Sequence, residues 1–138
     1  MKIAFVDLYA QYVSIKEEID AAIAQVIAKS SFLRGPQVME FEENFSRQLG
    51  VKHTVSCANG TDALYIALKA LGAGPGDEVI TTAHSWISTS EAISQTGAKV
   101  VFCDTGEDDF LIDVSQVEKL ISEKTKGLIP VHLYGQSV

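Results

Sequence analysis

The hydrophobic pattern changes character after residue 50, and that change constrains the fold more than any other feature of the chain. Short Val- and Ile-rich runs begin there and alternate with segments whose apolar residues recur at helical spacing. Residues 51–58 (VKHTVSCA), Glu78–Thr82 (EVITT), Lys99–Cys103 (KVVFC) and residues 127–133 (GLIPVHL) read as strands. Between them, a helix starting at Thr61 or Asp62 carries Leu64, Ala67, Leu68 and Leu71 on one side. Ser88–Thr96 reads as a second helix, and residues 114–123, with Val114, Val117, Leu120 and Ile121 in step, as a third. Gly72-Ala73-Gly74-Pro75-Gly76-Asp77 is a loop by composition. Strands that alternate with helices of about ten residues predict βαβ units. The expected class is α/β, a mostly parallel sheet with flanking helices.

The first fifty residues carry a different pattern. Ile15, Ile19, Ile23 and Val26/Ile27 recur at three- and four-residue steps between charged positions, which predicts an amphipathic helix over residues 13–29. Residues 30–35 break it. Pro36 suits the first turn of a second helix, whose apolar face is Val38, Phe41, Phe45 and Leu49 and whose C-cap is Gly50. The chain therefore divides into a helical segment, residues 1–50, and an α/β segment, residues 51–138.

Composition excludes several classes. The 138 residues hold 11 Lys+Arg against 18 Asp+Glu, a net charge of −7, and a nucleic-acid binder needs a basic face. Two distant cysteines, Cys57 and Cys103, support neither a disulfide scaffold nor a zinc ribbon, and they point to a reducing, cytoplasmic setting. The opening MKIAFVDL is too short an apolar run for a signal peptide, and no stretch reaches the roughly 20 apolar residues of a membrane span. His53, His84 and His132 lie on separate segments with no metal-ligand spacing, so no metal site is expected. The acidic run Glu107-Asp108-Asp109 reads as a solvated loop.

Ligands of open α/β sheets bind outside the carboxyl ends of the strands. Three strand-to-helix turns qualify here: Ala58-Asn59-Gly60-Thr61-Asp62, Ala83-His84-Ser85-Trp86 and His132-Leu133-Tyr134-Gly135-Gln136. In the first, Gly60 lets backbone approach a ligand, and Thr61 adds a hydroxyl and a free N–H at a helix start, a combination that cradles phosphate. Ordinary capping by Asn59, Thr61 or Asp62 explains the same residues, and the two readings are compatible. In the second, Trp86 is the lone tryptophan. It reads either as a core aromatic under the next helix or as an indole stacked on a planar ring. The pattern is neither a Walker loop nor a GxGxxG fingerprint.

Five phrases in order, FVDLYAQY, FLRGPQVMEFEENF, ANGTDAL, GPGDEVITT and KTKGLIPVHLYGQ, resemble the DegT/DnrJ/StrS family of nucleotide-sugar aminotransferases across essentially the whole chain. The resemblance implies the N-terminal part of the large domain of a pyridoxal 5'-phosphate (PLP) enzyme with the aspartate-aminotransferase fold. It implies that Gly60 and Thr61 hold the PLP phosphate, that Trp86 stacks on the pyridine ring, and that Phe32, Leu33 and Arg34 form a loop approaching the sugar. The implied partners are a nucleotide-linked keto sugar, most like a 3-keto-6-deoxy sugar, an amino donor such as glutamate, and a second subunit in a homodimer. The family's PLP-bearing lysine, its aspartate facing the ring nitrogen and a further phosphate-binding serine lie downstream of HLYGQ. No catalytic residue is therefore expected within this chain, which reads as the N-terminal piece of a longer enzyme and inactive alone. Two other expectations stay open: a sugar dehydratase on the same scaffold, with histidine in place of that lysine, and a non-enzymatic assembly module.

Overall fold

In the computed structural model residues 4–138 are described, so the first three residues of MKIAFVDL lie outside it. The described residues form two compact units, one running to Ser56 and one from Cys57 to Val138. No helix among them is long and apolar enough to cross a membrane.

The first unit is helical. Asp7 opens α1 (Leu8–Ser14) by accepting the Ala10 N–H at 2.9 Å, and α2 (Lys16–Ala28) follows after a break at Ile15. A single helix over residues 13–29 is thus corrected to two. The Asp7 cap starts about two turns before the Ile periodicity begins, and the Ser14 hydroxyl donates back to the Gln11 carbonyl at 2.7 Å, which competes with continuation of the helix. Helix α3 (Pro36–Leu49) begins at Pro36 and ends at Gly50, whose φ of 66° is the left-handed cap conformation. The Gly50 and Val51 N–H groups close back on the Arg47 and Ser46 carbonyls.

Residues 51–58 are not a strand, contrary to their alternating pattern. Among the described residues of the first unit there is no strand to pair with them, and their polar groups bind α3 instead. The Ser56 N–H and hydroxyl both donate to Glu42 Oε1, at 2.9 and 2.7 Å, and the Ser46 hydroxyl donates to Thr54 Oγ1 at 2.7 Å. Val55 is 83% exposed, so the alternation buries nothing.

The second unit is the α/β body, with helices α4 (Gly60–Ala70), α5 (Ser88–Thr96) and α6 (Val114–Leu120) and strands β1 (Glu78–Thr82), β2 (Lys99–Cys103) and β3 (Thr125–Ile129). The strands lie in the order β2-β1-β3, all parallel, as the alternation of elements predicts. Central β1 is covered on both faces, and its side chains alternate between two cores. Val79 packs with Leu68, Ala92 and Ile93 of α4 and α5, while Ile80 packs with Cys103, Ile112 and α6 residues Val117 and Leu120. The last strand is Thr125–Ile129 rather than residues 127–133, because Pro130 has no N–H to extend the ladder. Gly97 ends α5 at φ 88°, and a Cβ there would meet Pro75 Cγ at 2.9 Å, so glycine is required twice over.

Candidate functional site

With no strand over residues 51–58, the turn at residues 58–62 is not a strand-to-helix turn; it is the start of α4, tied through Thr61 to Ser88 after β1, and it carries unused donors. Asn59 is the N-cap of α4: its Oδ1 accepts the Asp62 N–H at 2.9 Å, and its carbonyl accepts the Ala63 N–H at 3.1 Å. Capping therefore falls to Asn59, and the Gly60 and Thr61 N–H groups have no partner among the described residues. These are the orphan amides of a helix N-terminus, with the positive end of the helix dipole behind them.

Gly60 is not demanded by the fold. Its φ lies outside the left-handed range, and a Cβ built on it meets no atom within 4 Å. A glycine that neither turn geometry nor packing requires, beside two free amides, leaves space for a ligand to approach the backbone. Thr61 is held from below: its hydroxyl donates to Ser88 Oγ at 2.9 Å, which ties the start of α4 to the start of α5. The Ser88 hydroxyl proton is then available to a further acceptor. Ser88 escaped the sequence reading, whose only available signal was a hydroxyl in the first turn of the helix that follows the Trp86 turn.

Trp86 lies two residues before Ser88 and is 78% exposed, so the core-aromatic reading of this residue is corrected. The Thr89 N–H donates to the Trp86 carbonyl at 3.2 Å, which anchors the turn to the first turn of α5. A small cleft of about 150 Å³ lies beside the indole, lined by Thr82, Ala83, Ser85, Thr89 and Phe102 among others. Gly60, Thr61 and Trp86 are thus brought to the starts of two packed helices at one end of the sheet.

Phe32, Leu33 and Arg34 belong to the first unit. They form a turn between α2 and α3, with Phe32 and Leu33 exposed and Arg34 in the left-handed region at φ 45°. The Arg34 guanidinium reaches Glu42 Oε2 at 3.4 Å and borders a cleft of about 430 Å³ that also touches Arg47, Lys52 and His53. The Ser56 N–H and hydroxyl, with Arg34 as a lesser contributor, hold the Glu42 carboxyl below the usual glutamate range. Cys57 is exposed and Cys103 buried, and burial pushes the Cys103 thiol up.

The model of the DegT/DnrJ/EryC1/StrS aminotransferase family matches residues 13–138. A pleiotropic regulatory protein of Geobacillus stearothermophilus is 46% identical over 136 residues, covering 99% of this chain and 37% of that protein. The UDP-2-acetamido-2-deoxy-3-oxo-D-glucuronate aminotransferase of Pseudomonas aeruginosa is 44% identical over 134 residues, covering 97% of this chain and 37% of that enzyme. The crystal structure of NtdA from Bacillus subtilis with bound cofactor PMP superposes with a TM-score of 0.90 at 33% identity, over 100% of this chain and 33% of that one. The chain thus spans little more than a third of the length of these relatives, and its three-stranded parallel sheet with flanking helices matches the corresponding part of such structures.

Proposed function

The chain belongs to the DegT/DnrJ/EryC1/StrS aminotransferase family, and on that premise we propose that it forms the phosphate- and ring-holding part of a PLP site, in an enzyme that aminates a keto group of a nucleotide-linked sugar. The observation that carries this reading is the Thr61–Ser88 hydroxyl pair, which ties two uncommitted helix-start amides to the turn carrying the exposed Trp86, two residues before Ser88. The residues fit the cofactor: open space at Gly60 admits a phosphate, and Trp86 presents a free ring face at the same end of the sheet. When bound, PLP supplies an electron sink for the carbon next to the transferred nitrogen.

The chain's own residues do the holding. The Gly60 and Thr61 N–H groups would donate to the phosphate dianion, aided by the dipole of α4 and by the Ser88 hydroxyl, whose oxygen accepts from Thr61 and whose proton is free to donate. No lysine is needed for this, so the net charge of −7 is no obstacle. Trp86 covers one face of the pyridine ring, where offset stacking contributes about 0.5–1.5 kcal/mol. Phe32, Leu33 and Arg34 are assigned to the sugar. The exposure of Phe32 and Leu33 leaves them free to contact a ligand, and Arg34, whose side chain is largely exposed, makes only a long 3.4 Å contact with the half-buried Glu42.

Residues 1–50 are the helical segment and 51–138 part of the large domain. The 3-oxo sugar named for the Pseudomonas relative supports a 3-keto position, and the FVDLYAQY and HLYGQ phrases favour a 6-deoxy sugar. Glutamate as amino donor, homodimeric assembly and a cytoplasmic setting complete the proposal.

Titration of the chain with PLP, followed by quenching of Trp86 fluorescence, tests the reading. Thr61→Ala should weaken binding, and Thr61→Ser should restore it. If Thr61→Ala shifts only the melting temperature and leaves PLP binding intact, the residue is part of the helix start and nothing more.

A further inference from the structure

Three side chains from three different segments meet at the carboxyl end of the sheet, and the cofactor reading makes no use of them. His84 follows β1, Phe110 sits in the loop after β2, and Tyr134 sits in the turn after β3. Ring centroids are 5.9 Å apart for His84–Phe110, 6.4 Å for His84–Tyr134 and 6.1 Å for Phe110–Tyr134, the last pair edge-to-face at 89°. The Tyr134 hydroxyl lies 3.5 Å from His84 Nε2, the long limit of a hydrogen bond, so ring packing is the main tie.

Two of the three are held in a conformation that such residues avoid. Phe110 has φ 60° and Tyr134 φ 55°, the left-handed region, where bulky side chains are strained. Neither is repaid by deep burial, since Phe110 is 46% and Tyr134 73% exposed. Each is held there by its loop. The Phe110 N–H donates to the Gly106 carbonyl within a segment closed by the Thr105–Ile112 bridge, and the Gln136 N–H closes the Tyr134 turn on the Leu133 carbonyl. What the strain achieves is contact with His84, whose own N–H is fixed on Thr82 Oγ1 at 3.2 Å. His84 is two residues from Trp86, on the short turn between β1 and α5.

We propose that Phe110 and Tyr134 are positioning residues that clamp His84 from the two neighbouring strand ends and so fix the turn presenting Trp86. This rests on the reading of Trp86 as the ring support. It adds that the indole is held by residues 24 and 48 positions further along the chain, rather than by its own helix alone. The clamp draws on all three strands, so the orientation of the indole depends on the sheet being assembled.

Trp86 is the only tryptophan, so its time-resolved fluorescence anisotropy in the cofactor-free chain reads the turn directly. Phe110→Gly and Tyr134→Gly remove a ring and also relieve the left-handed strain. The expected result is a melting temperature held or raised together with a loss of Trp86 residual anisotropy, while Tyr134→Phe, which keeps the ring, changes neither. Residues with a merely structural role would move the melting temperature and leave the anisotropy as it was. Unchanged anisotropy in both glycine variants overturns the proposal. PLP titration of the same variants separates the two ideas. If the wild-type chain takes no PLP yet the glycine variants lose anisotropy, the cofactor reading fails and the clamp stands.

Discussion

Replacing Gly60 by alanine should move stability and cofactor binding in opposite directions. The structure places Gly60 at the first position of α4 with φ outside the left-handed region and no atom within 4 Å of a built Cβ. Alanine therefore fits without strain. Gly→Ala at such a site stabilises by about 0.4–1 kcal/mol, mainly by restricting the unfolded chain. For a chain of this size that is a rise of roughly 1–5 °C in melting temperature. The same methyl group occupies the space beside the free Gly60 and Thr61 amides. Loss of one charge-assisted hydrogen bond to a phosphate costs about 1.5–3 kcal/mol. That is a roughly 10- to 150-fold weaker Kd for PLP. Circular dichroism melts without PLP and quenching of Trp86 by PLP give the two numbers on one sample. A melting temperature several degrees lower would show that the fold needs the glycine. A raised melting temperature with unchanged PLP affinity would show that no phosphate approaches this backbone.

Core and surface isoleucines should part company in urea unfolding. Ile93, fully buried between α5 and the sheet, should lose about 2–5 kcal/mol as alanine. Ile27, 58% exposed on α2, should change by about 0.5 kcal/mol or less, and equal losses would refute the assigned packing. With a thiol reagent, Cys57 should react in the native chain and Cys103, 1% exposed, only on unfolding, so two thiols of equal native reactivity would contradict the structure. The Glu42 carboxyl is held below its ordinary value of 4.5, so its contribution to stability is complete above that value and is lost as pH falls through the lower folded one. Glu42→Gln should accordingly flatten the fall of melting temperature on acidification below about pH 4.5, and an unaltered acid limb would remove the Ser56–Glu42 bonds as a stabilising element.

Much of the fold was readable because the governing interactions are local. Glu78–Thr82, Ser88–Thr96 and Lys99–Cys103 occupy the positions their patterns predict, and Pro36 and Gly50 bound α3 through backbone preferences that need no partner. The readings that failed depended on something outside the segment. Residues 51–58 alternate like a strand, but a strand exists only where a neighbour offers a ladder, and Ser56 and Thr54 bind α3 instead. Trp86 reads by its position first as a core aromatic under α5, and the structure leaves it 78% exposed instead.

The candidate site divides the same way. Asn59, Gly60 and Thr61 act within four residues of one another, so capping chemistry marks them in the sequence. Ser88 joins Thr61 across 27 residues, and Tyr134 joins His84 across 50, through contacts made only when the sheet brings three strand ends together. By itself the sequence determined the alternation of elements after residue 60, the Pro36 and Gly50 bounds of α3 and a helix start near Thr61, since these follow from periodicity and backbone preferences over a turn or two. The tertiary structure decided which hydroxyl meets Thr61, which rings surround His84 and which way the indole faces, because parallel strand order and helix packing set distances between residues that no local interaction relates.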